Sequence, residues 1–546
     1  MNQGPSKPQR VRIAPVPPEQ LPFLQGMSTA FDSVAEVITI RAGEIPDRVH
    51  VLFYDEKVTY CQTNERANRV ANYLRAHGIK KGDVVSLLIL NSPEIYYVMF
   101  GTQKLGAIAG LINYMLQGPE IAYLLDDSRP KIVFVGSEFM VTFAKGYEMA
   151  KHKPKVVEVA TGIDHGSNIS RDQLSFVLEN YPGDEALVRQ QPKDPCLLLY
   201  SSGTTGRPKG ILLTNGGHLS INRAMASTGI VQGEDVMLIL LPMFHVNPIC
   251  VFTNPITYCG QTLCIRKTFS PSDFWPSVLD YGVTIVMGVP AMYSYVFHVA
   301  DAGSIDRSRL KLRFAVCGAA PLPVELIRGF KEKFNVEIIE GYGLSEGTGV
   351  TTVNPLLGRR KPGSIGVALP FQEVGIQNDH NRELPAGETG EICIRGDAVM
   401  GGYLNNPEAT QETIIDGWLH TGDMGYMDEE GYLYIVDRKK DMINRGGENI
   451  YPREIEIALE AHPKIREVAV VGVPDEALGE RVKAFVIPKE AGSLTEQELQ
   501  EYLKERLAKY KIPEFVEFVK DFPRNATGKI LKKEIRQAEY ARWKKS

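Results

Sequence analysis

The sequence contains no apolar run long enough to cross a membrane. Its longest runs, such as Val84 to Leu90, soon end at polar residues, whereas a bilayer span needs about 20 consecutive apolar residues. The first 22 residues are polar and rich in proline, without the apolar core of a signal peptide. We therefore expect no stable membrane insertion.

An excess of positive charge is also missing. The 61 lysines and arginines are outnumbered by 66 aspartates and glutamates, and the formal net charge is -5, so nucleic acid is not an expected partner. The seven cysteines are odd in number and never spaced as Cys-x-x-Cys. Neither a disulfide framework nor a zinc site is indicated, and a reducing cytoplasmic location is predicted. The last three residues, Lys544 to Ser546, are not the Ser-Lys-Leu signal of peroxisomal proteins.

The sequence does contain the alternation typical of an α/β fold. Its 546 residues, 43% of them hydrophobic, exceed the size at which one core suffices, so we expect two or more domains. Between residues 50 and 340, short apolar runs alternate with stretches whose apolar residues recur at helical spacing. This alternation predicts parallel α/β sheets, in which ligands bind beyond the carboxyl ends of the strands.

The pattern changes twice towards the C-terminus. From about Phe371, short strands between glycine-rich turns predict a β-rich subdomain, and beyond the charged run 437–440 a mixture of helices and strands predicts a small α+β domain. That charged run is equally compatible with a solvated turn. We predict a proline-rich leader at 1–24, a large N-terminal domain at 25–436, a hinge at 437–440 and a mobile C-terminal domain at 441–546.

A loop rich in glycine and hydroxyl groups, Tyr200 to Gly210, follows the apolar run Cys196 to Leu199. Glycines let backbone N–H groups turn towards an anion, the hydroxyls add donors, and Lys209 adds a positive charge, which together suit the phosphates of a nucleotide. A Walker A loop is excluded because Lys209 follows Pro208 and precedes Gly210. The alternative is an ordinary surface loop.

Five further stretches carry candidate site residues. Tyr342 lies between glycines and suits stacking on a flat base, Glu346 offers a hard oxygen ligand for Mg²⁺, and Asp423 can accept two hydrogen bonds from a ribose diol. Each stretch alone has an ordinary alternative, such as a core histidine, a tight turn or a surface lysine. The stretches are Leu241 to His245, Cys317 to Pro321, Glu340 to Glu346, Trp418 to Asp423 with Tyr434 to Arg438, and Pro523 to Lys529.

Taken in this order, the six stretches resemble the motifs of the adenylate-forming enzymes, which include acyl-CoA synthetases, nonribosomal peptide adenylation domains and firefly luciferase. The resemblance runs from about residue 50 to the C-terminus. The segments Asp437 to Asn444 and Ile450 to Glu454 look most like those of bacterial fatty-acyl-CoA ligases. The resemblance implies that the chain uses ATP, Mg²⁺ and coenzyme A.

The resemblance also assigns a nucleotide site. It implies that Thr204, Thr205 and Lys209 hold the β- and γ-phosphates of ATP, and that Tyr342 stacks on adenine. Glu346 would bind Mg²⁺. Further residues implied to contact the nucleotide or the acyl-phosphate are Ser201, Ser202, Gly203, Gly206, Gly318, Ala319, Ala320, Gly341, Gly343, Ser345 (commonly threonine in the family), Asp423 and Arg438 at the ribose, and Ile435.

The remaining candidate residues concern the acid and the CoA thiol that accepts the acyl group. By resemblance, Lys529 contacts the α-phosphate and the attacking carboxylate, and His245 borders the acyl pocket. The family often has glycine soon after this histidine, whereas this chain has Val246-Asn247-Pro248. The candidate catalytic residues are therefore Lys529, Thr204, Lys209, Glu346 and His245, and those of the hinge and the CoA face are Lys440, Gly446, Gly447 and Glu448.

The function implied by the resemblance is that of an ATP-dependent acyl-CoA synthetase. A carboxylate attacks the α-phosphorus of ATP, pyrophosphate leaves, and the acyl-adenylate passes its acyl group to CoA. Acetate-type members have tryptophan at the position of Gly343, so we expect an acid larger than acetate. The candidates are a medium- to long-chain fatty acid and an aryl or alicyclic acid.

Three alternatives stay open from the sequence. A stand-alone enzyme that loads an acyl carrier protein would share the first half-reaction, and a luciferase-like enzyme would consume the adenylate with oxygen. A non-catalytic nucleotide sensor is disfavoured because Lys209, Glu346, Asp423 and Lys529 are all present. A homodimer is also left open.

Overall fold

The structure is a computed structural model, described here for residues 11–160, 169–201, 208–301, 303, 305–320, 322–445, 448–476, 478–490, 492–524 and 530–543. The chain divides into two compact units. The first comprises Met1–Val374, Ile394–His420 and Glu430–Tyr432, and the second comprises Gly375–Cys393, Thr421–Glu429 and Leu433–Ser546.

The described α-helices are numbered in chain order. They are α1 (Val34–Glu44), α2 (Tyr60–Ala76), α3 (Pro93–Lys104), α4 (Gly118–Ser128), α5 (Met140–Met149), α6 (Leu174–Asn180), α7 (Asn215–Ser227), α8 (Asn254–Tyr258), α9 (Pro271–Asp280), α10 (Pro290–Val299), α11 (Val324–Phe334), α12 (Pro407–Thr413), α13 (Pro452–Glu460), α14 (Glu496–Lys504) and α15 (Lys532–Trp543). Shorter 3-10 helices lie at Pro18–Gln20, Pro22–Leu24, Ser137–Phe139, Ser345–Gly347, Lys439–Asp441 and Lys509–Lys511, and a π-helix lies at Asn247–Thr253.

The described strands are numbered in the same way. They are β1 (Val49–Phe53), β2 (Glu56–Thr59), β3 (Val84–Leu88), β4 (Ile108–Leu111), β5 (Ile132–Gly136), β6 (Lys155–Val159), β7 (Arg171–Gln173), β8 (Pro195–Ser201), β9 (Lys209–Thr214), β10 (Val236–Ile239), β11 (Thr262–Ile265), β12 (Ile285–Gly288), β13 (Phe314–Cys317), β14 (Ile338–Tyr342), β15 (Thr352–Val353), β16 (Val367–Ala368), β17 (Glu373–Gln377), β18 (Gly390–Arg395), β19 (Gly402–Tyr403), β20 (Ile414–Ile415), β21 (Trp418–Met427), β22 (Leu433–Arg438), β23 (Ile443–Arg445), β24 (Glu448–Ile450), β25 (Ile465–Asp475), β26 (Gly479–Pro488) and β27 (Phe515–Phe518).

Local sequence chemistry explains where several helices begin and end. Helix α2 begins with a capping box in which Thr59 and Gln62 each bond the other's backbone N–H. It ends before Gly78, whose φ of +76° is the left-handed conformation predicted for a glycine cap. Helix α3 begins with Pro93 in its first turn after Ser92, because proline needs no backbone donor there.

Two large sheets organise the first unit. One has the strand order β16-β15-β14-β13-β12-β10-β11-β1-β2, and the other has the order β19-β9-β8-β4-β3-β5-β6-β7. Their central strands pair in parallel. Strands β3, β4 and β5 are buried along their whole length, as expected when both faces of a sheet are covered.

The second unit contains a smaller mixed sheet with the order β24-β23-β26-β25, to which β27 adds in parallel beside β26. Helices α13 and α15 pack against β25. A further sheet has the order β17-β18-β21-β20, with β22 paired to β21.

The predicted fold class, a large N-terminal domain with parallel α/β sheets and a small α+β C-terminal domain, is confirmed. The predicted domain limits, the hinge at 437–440 and the mobility of the small domain stay predictions. None of the helices in the described part of the chain has both the length and the apolar character needed to cross a bilayer.

Candidate active site

The predicted phosphate loop lies at a β-hairpin. Strands β8 and β9 pair antiparallel with Ser201 opposite Lys209, so the two described ends of the loop are neighbours across the hairpin. Tyr123 Oη donates to the carbonyl of Pro208 over 2.9 Å, close to Lys209 in the chain. The hairpin therefore places Lys209 at the base of the loop. The other predicted loop residues, Ser202, Gly203, Thr204, Thr205 and Gly206, lie outside the described residues.

Lys209 and Glu346 share one neighbour, Tyr403. The Lys209 ammonium lies 4.9 Å from the centre of the Tyr403 ring, and Tyr403 Oη donates to Glu346 Oε1 over 3.0 Å. Strand β19 carries Tyr403 and pairs with β9, so that Tyr403 lies opposite Ile211. The N–H of Met400 donates to the carbonyl of Glu346 over 2.8 Å. The structure thus brings the predicted phosphate lysine to the ring of one tyrosine and the predicted Mg²⁺ ligand to the hydroxyl of the same tyrosine.

This arrangement fits a nucleotide phosphate and Mg²⁺. One oxygen of Glu346 accepts from Tyr403, and the second oxygen can coordinate a hard cation. In the described residues no group of three or more His, Cys, Asp or Glu could hold a metal by itself. A single carboxylate is sufficient where substrate phosphates complete the coordination of Mg²⁺. Ser345 begins the short helix that carries Glu346 and is half-buried.

The predicted adenine residues lie at the carboxyl ends of two strands. Strands β13 and β14 are parallel neighbours, so Gly318 and Gly341 lie at the same sheet edge. A Cβ on Gly318 would lie 3.1 Å from the carbonyl oxygen of Gly341, which favours glycine there. Ala319 has a φ of +69°, and both Ala319 and Ala320 are exposed. Tyr342 ends β14 and is half-buried.

His245 precedes the π-helix. Its Nε2 is buried without a hydrogen-bond partner among the described residues. Burial lowers the pKa of the imidazole to about 4, so the ring is neutral near pH 7. Its centre lies 4.3 Å from that of the Phe244 ring. The site therefore contains a neutral ring with one buried nitrogen that has no partner in the described part of the chain.

The segment that departs from the family pattern, Val246-Asn247-Pro248, leads into the π-helix, which packs against two predicted loops. A Cβ on Gly349 would lie 2.7 Å from Val251 Cγ2 and 3.3 Å from Val246 Cγ2. Asn247 Nδ2 lies 3.8 Å from the position of a Cβ on Gly318. Three separate motifs, around His245, Gly318 and Glu346, therefore meet in the first unit.

Gly343 has a packing explanation that sequence reasoning missed. A Cβ at this position would overlap the carbonyl oxygen of Gly349 and would lie 2.7 Å from Val350 Cα. Because the chain's own backbone occupies this space, glycine at position 343 does not measure the size of an acyl pocket. The size of the acid stays a prediction, without the support that this glycine was expected to give.

In the second unit, the predicted ribose residues Asp423 and Arg438 form an ion pair. They lie opposite each other on β21 and β22, with Arg438 Nε 2.8 Å from Asp423 Oδ1. The Asp423 side chain is 4% exposed and that of Arg438 is 45% exposed. Ile435 lies half-buried on β22. The structure thus brings together the two residues that the sequence paired for the ribose.

The predicted hinge and CoA residues also lie in the second unit. Lys440 is exposed in a short helix. The buried Asp437 accepts from the N–H of Arg453 over 2.6 Å at the start of α13. Glu448 is exposed and lies opposite Arg445 across the β23–β24 hairpin. Gly446, Gly447 and the predicted catalytic Lys529 lie outside the described residues, so their roles stay predictions.

Tyr403 is the residue of this site that sequence reasoning missed. It lies 57 positions from Glu346, and no periodicity or spacing links the two. The only local signal is the Gly401-Gly402 pair that precedes it. This pair marks a turn but does not indicate what the next side chain contacts.

Comparisons with known proteins agree with this geometry. The family profile described as "AMP-binding enzyme" matches residues 39–404, and the one described as "AMP-binding enzyme C-terminal domain" matches residues 454–529. A long-chain-fatty-acid–CoA ligase of Mycobacterium tuberculosis is 38% identical over 490 residues, which cover 88% of this chain and 93% of that protein. A feruloyl-CoA synthase of an Amycolatopsis species is 35% identical over 500 residues, which cover 91% and 97%.

A solved structure shows the same fold. The o-succinylbenzoate CoA synthetase of Bacillus subtilis, in complex with ATP and magnesium ion, superposes with a TM-score of 0.79 at 30% identity, over 91% of this chain and 98% of that one. The resemblance drawn from the six motifs, including its place near fatty-acyl-CoA ligases, is confirmed. The chain therefore belongs to the family of AMP-binding, adenylate-forming enzymes.

Proposed function

We propose that the chain is an AMP-forming carboxylate–CoA ligase. It joins a carboxylic acid to ATP as an acyl-adenylate with release of pyrophosphate, and then transfers the acyl group to CoA. The observation that carries the proposal is the approach of Lys209 and Glu346 to Tyr403 at the base of the phosphate loop. The family membership supports it.

The first half-reaction joins two anions, so positive charge must offset their repulsion. Lys209 would hold the pyrophosphate that leaves, and Lys529 would act at the reacting centre. Glu346 would hold Mg²⁺, which supplies a Lewis acid for the phosphate oxygens. Most of the rate enhancement would come from positioning and electrostatic stabilisation. The neutral ring of His245 would border the carboxylate without adding a charge there.

The acid and its acceptor are the finer part of the proposal. The named relatives act on long-chain fatty acids and form feruloyl-CoA, which supports a medium- to long-chain fatty acid or an aryl or alicyclic acid. Free CoA is the proposed acceptor, and a cytoplasmic location is part of the proposal. The homodimer stays open, to be decided by light scattering of the purified protein.

One assay separates these functions. AMP release is measured across a panel of fatty, aryl and alicyclic acids, with and without CoA. We expect release that needs both an acid and CoA. Release that depends on neither would overturn the proposal. Acid-dependent pyrophosphate exchange without transfer to CoA, but with transfer to a phosphopantetheinyl carrier protein, would instead establish the carrier-loading alternative.

A further inference from the structure

Helices α7 and α8 meet through buried polar side chains. His218 and Asn222 on α7 are 0% exposed, and Asn254 at the start of α8 is 2% exposed. His218 Nδ1 lies 2.8 Å from Asn254 Nδ2. Asn222 follows His218 by one helical turn, so both lie on the same face of α7. We call these three residues the polar row.

The polar row has more hydrogen-bonding atoms than partners. Nε2 of His218, Oδ1 of Asn254, and both Nδ2 and Oδ1 of Asn222 are buried without a partner among the described residues. Turning the Asn254 amide over would exchange donor for acceptor, and one atom of that amide and one ring nitrogen would still be unpaired. Burial lowers the pKa of His218 to about 4, so the row is uncharged near pH 7. It can bind neutral donors and acceptors and does not attract an ion.

The polar row lies beside the loops of the candidate site. At the start of α7, a Cβ on Gly217 would lie 3.0 Å from Thr348 Oγ1, two residues after Glu346. The π-helix that leads into α8 contacts Gly349 through Val251 and also packs on α7. The contact between α7 and α8 therefore lies next to the loops proposed for adenylation.

The polar row stands out because several of its buried polar atoms lack partners among the described residues. Buried polar groups of a folded protein are nearly always paired, so each unpaired one calls for an explanation. Isolated unpaired atoms such as Asn68 Oδ1 occur elsewhere in the same unit, but the polar row has four of them on three residues. By contrast, the buried His50 has Thr63 Oγ1 at 3.1 Å and Thr257 Oγ1 at 2.9 Å from its two ring nitrogens. A plain alkyl chain against the polar row would leave its donors and acceptors without partners.

We propose that His218, Asn222 and Asn254 determine specificity for the tail of the acid, and that this acid carries a neutral oxygen function, a hydroxyl or carbonyl group, which bonds to the polar row. The inference rests on the proposed ligase function and narrows its substrate to an oxygenated acid. The plain fatty acid and the unsubstituted aryl or alicyclic acid are then the poorer substrates, because a site built to bond a polar group discriminates against the analogue that lacks it.

The test compares matched acids in ATP–pyrophosphate exchange. The pairs are hexanoate with 6-hydroxyhexanoate, 3-phenylpropanoate with 3-(4-hydroxyphenyl)propanoate, and cyclohexanecarboxylate with 4-oxocyclohexanecarboxylate. We expect kcat/KM for at least one oxygenated acid to exceed that of its parent by about tenfold or more. In Asn222→Leu and Asn222→Ala, the ratio of kcat/KM for the oxygenated acid to kcat/KM for its parent falls by about tenfold, the effect of losing one hydrogen bond. Because the ratio is taken within one protein sample, a partly unfolded variant does not distort it.

Asn68→Ala is the matched control. Asn68 is 3% exposed on α2, and its Oδ1 is also unpaired, but its amide nitrogen donates to the carbonyl of Gly183, away from the polar row. We expect Asn68→Ala to keep the wild-type ratio of the two kcat/KM values. If parent acids are used as well as oxygenated ones, or if both Asn222 variants keep the wild-type ratio, the inference is overturned and the ligase function is not. If no acid supports exchange at all, the ligase function itself fails, and the inference fails with it.

Discussion

Tyr403 Oη donates a hydrogen bond to Glu346 Oε1 over 3.0 Å, while the Tyr403 ring lies 4.9 Å from the ammonium of Lys209. The tyrosine therefore orients the proposed Mg²⁺ ligand through its hydroxyl and contacts the proposed phosphate cation through its face. Burial raises the pKa of its phenol, and the Glu346 carboxylate raises it further. The hydroxyl keeps its proton near pH 7 and stays a donor.

Tyr403→Phe removes the hydroxyl and keeps the ring. A hydrogen bond to a charged group is worth about 1.5–3 kcal/mol, so we expect kcat/KM for ATP–pyrophosphate exchange to fall about tenfold to a hundredfold. The Mg²⁺ concentration for half-maximal rate should rise as well. Tyr73→Phe is the matched control, because Tyr73 Oη also bonds a carboxylate, Asp172, over 2.7 Å. Equal losses in the two variants would assign Tyr403 a general structural role.

Lys209→Ala separates the two half-reactions. Because Lys209 is proposed to hold the departing pyrophosphate, adenylation should slow by about a hundredfold or more. Thioester formation from a supplied acyl-adenylate should change by less than about threefold, since pyrophosphate has no part in it. Lys131→Ala, at an exposed lysine paired with Asp83, serves as the control in both assays. An equal loss in the two half-reactions would argue against the proposed role.

Asp423→Asn tests the ribose pair. The substitution weakens the contact with Arg438 and removes one charged acceptor, so we expect KM for ATP to rise about tenfold with a smaller change in kcat. The free energy of unfolding should change by only about 1 kcal/mol, because asparagine keeps an acceptor for Arg438, whose side chain is 45% exposed. Asp379→Asn, in an exposed pair with Lys439, is the control. A KM that stays constant in Asp423→Asn would exclude the proposed contact.

Gly343→Ala should destabilise the first unit. The added methyl group would overlap the backbone of Gly349, and overpacking of this kind costs about 1–3 kcal/mol. Gly43→Ala is the opposite case: Gly43 lies in α1 with nothing within 4 Å of the added Cβ, so alanine should stabilise by about 0.5–1 kcal/mol. Thermal unfolding of both variants measures the difference. If Gly343→Ala unfolds at the wild-type temperature, the packing explanation is wrong.

Glu340 predicts a pH dependence of stability. Burial raises the pKa of its carboxyl from 4.5 to about 7. Between these two values the folded chain keeps a proton that the unfolded chain has lost, so stability is fully present below about pH 4.5 and is lost as the pH rises through 7. One pKa unit corresponds to about 1.4 kcal/mol, so the free energy of unfolding should fall by about 3 kcal/mol over this pH range.

The measurement is the unfolding temperature at pH 5 and pH 8 for the wild type and Glu340→Gln. The glutamine side chain has a similar shape and does not titrate in this range. From pH 5 to pH 8, we expect the unfolding temperature of the wild type to fall by about 2–4 °C more than that of the variant. Parallel profiles would show that Glu340 does not titrate in this window.

Local chemistry made much of the fold predictable. The helix end at Gly78, the helix start at Ser92-Pro93 and the buried run at β3 each depend on a few neighbouring residues, so they could be found without tertiary structure. The order of six motifs indicated the family for the same reason. The resemblance assigned Asp423 and Arg438 to the ribose, and the structure brings the two side chains together. Their contact with the ribose stays a prediction.

The sequence by itself therefore determined the α/β class, the family and most of the candidate site residues, because each depends on residues close together in the chain. Only the tertiary structure decided that Tyr403 contacts both Lys209 and Glu346, that backbone packing explains Gly343, and that His218, Asn222 and Asn254 form one buried polar row. Strand pairing and helix packing set these contacts between distant residues, and no local pattern records them.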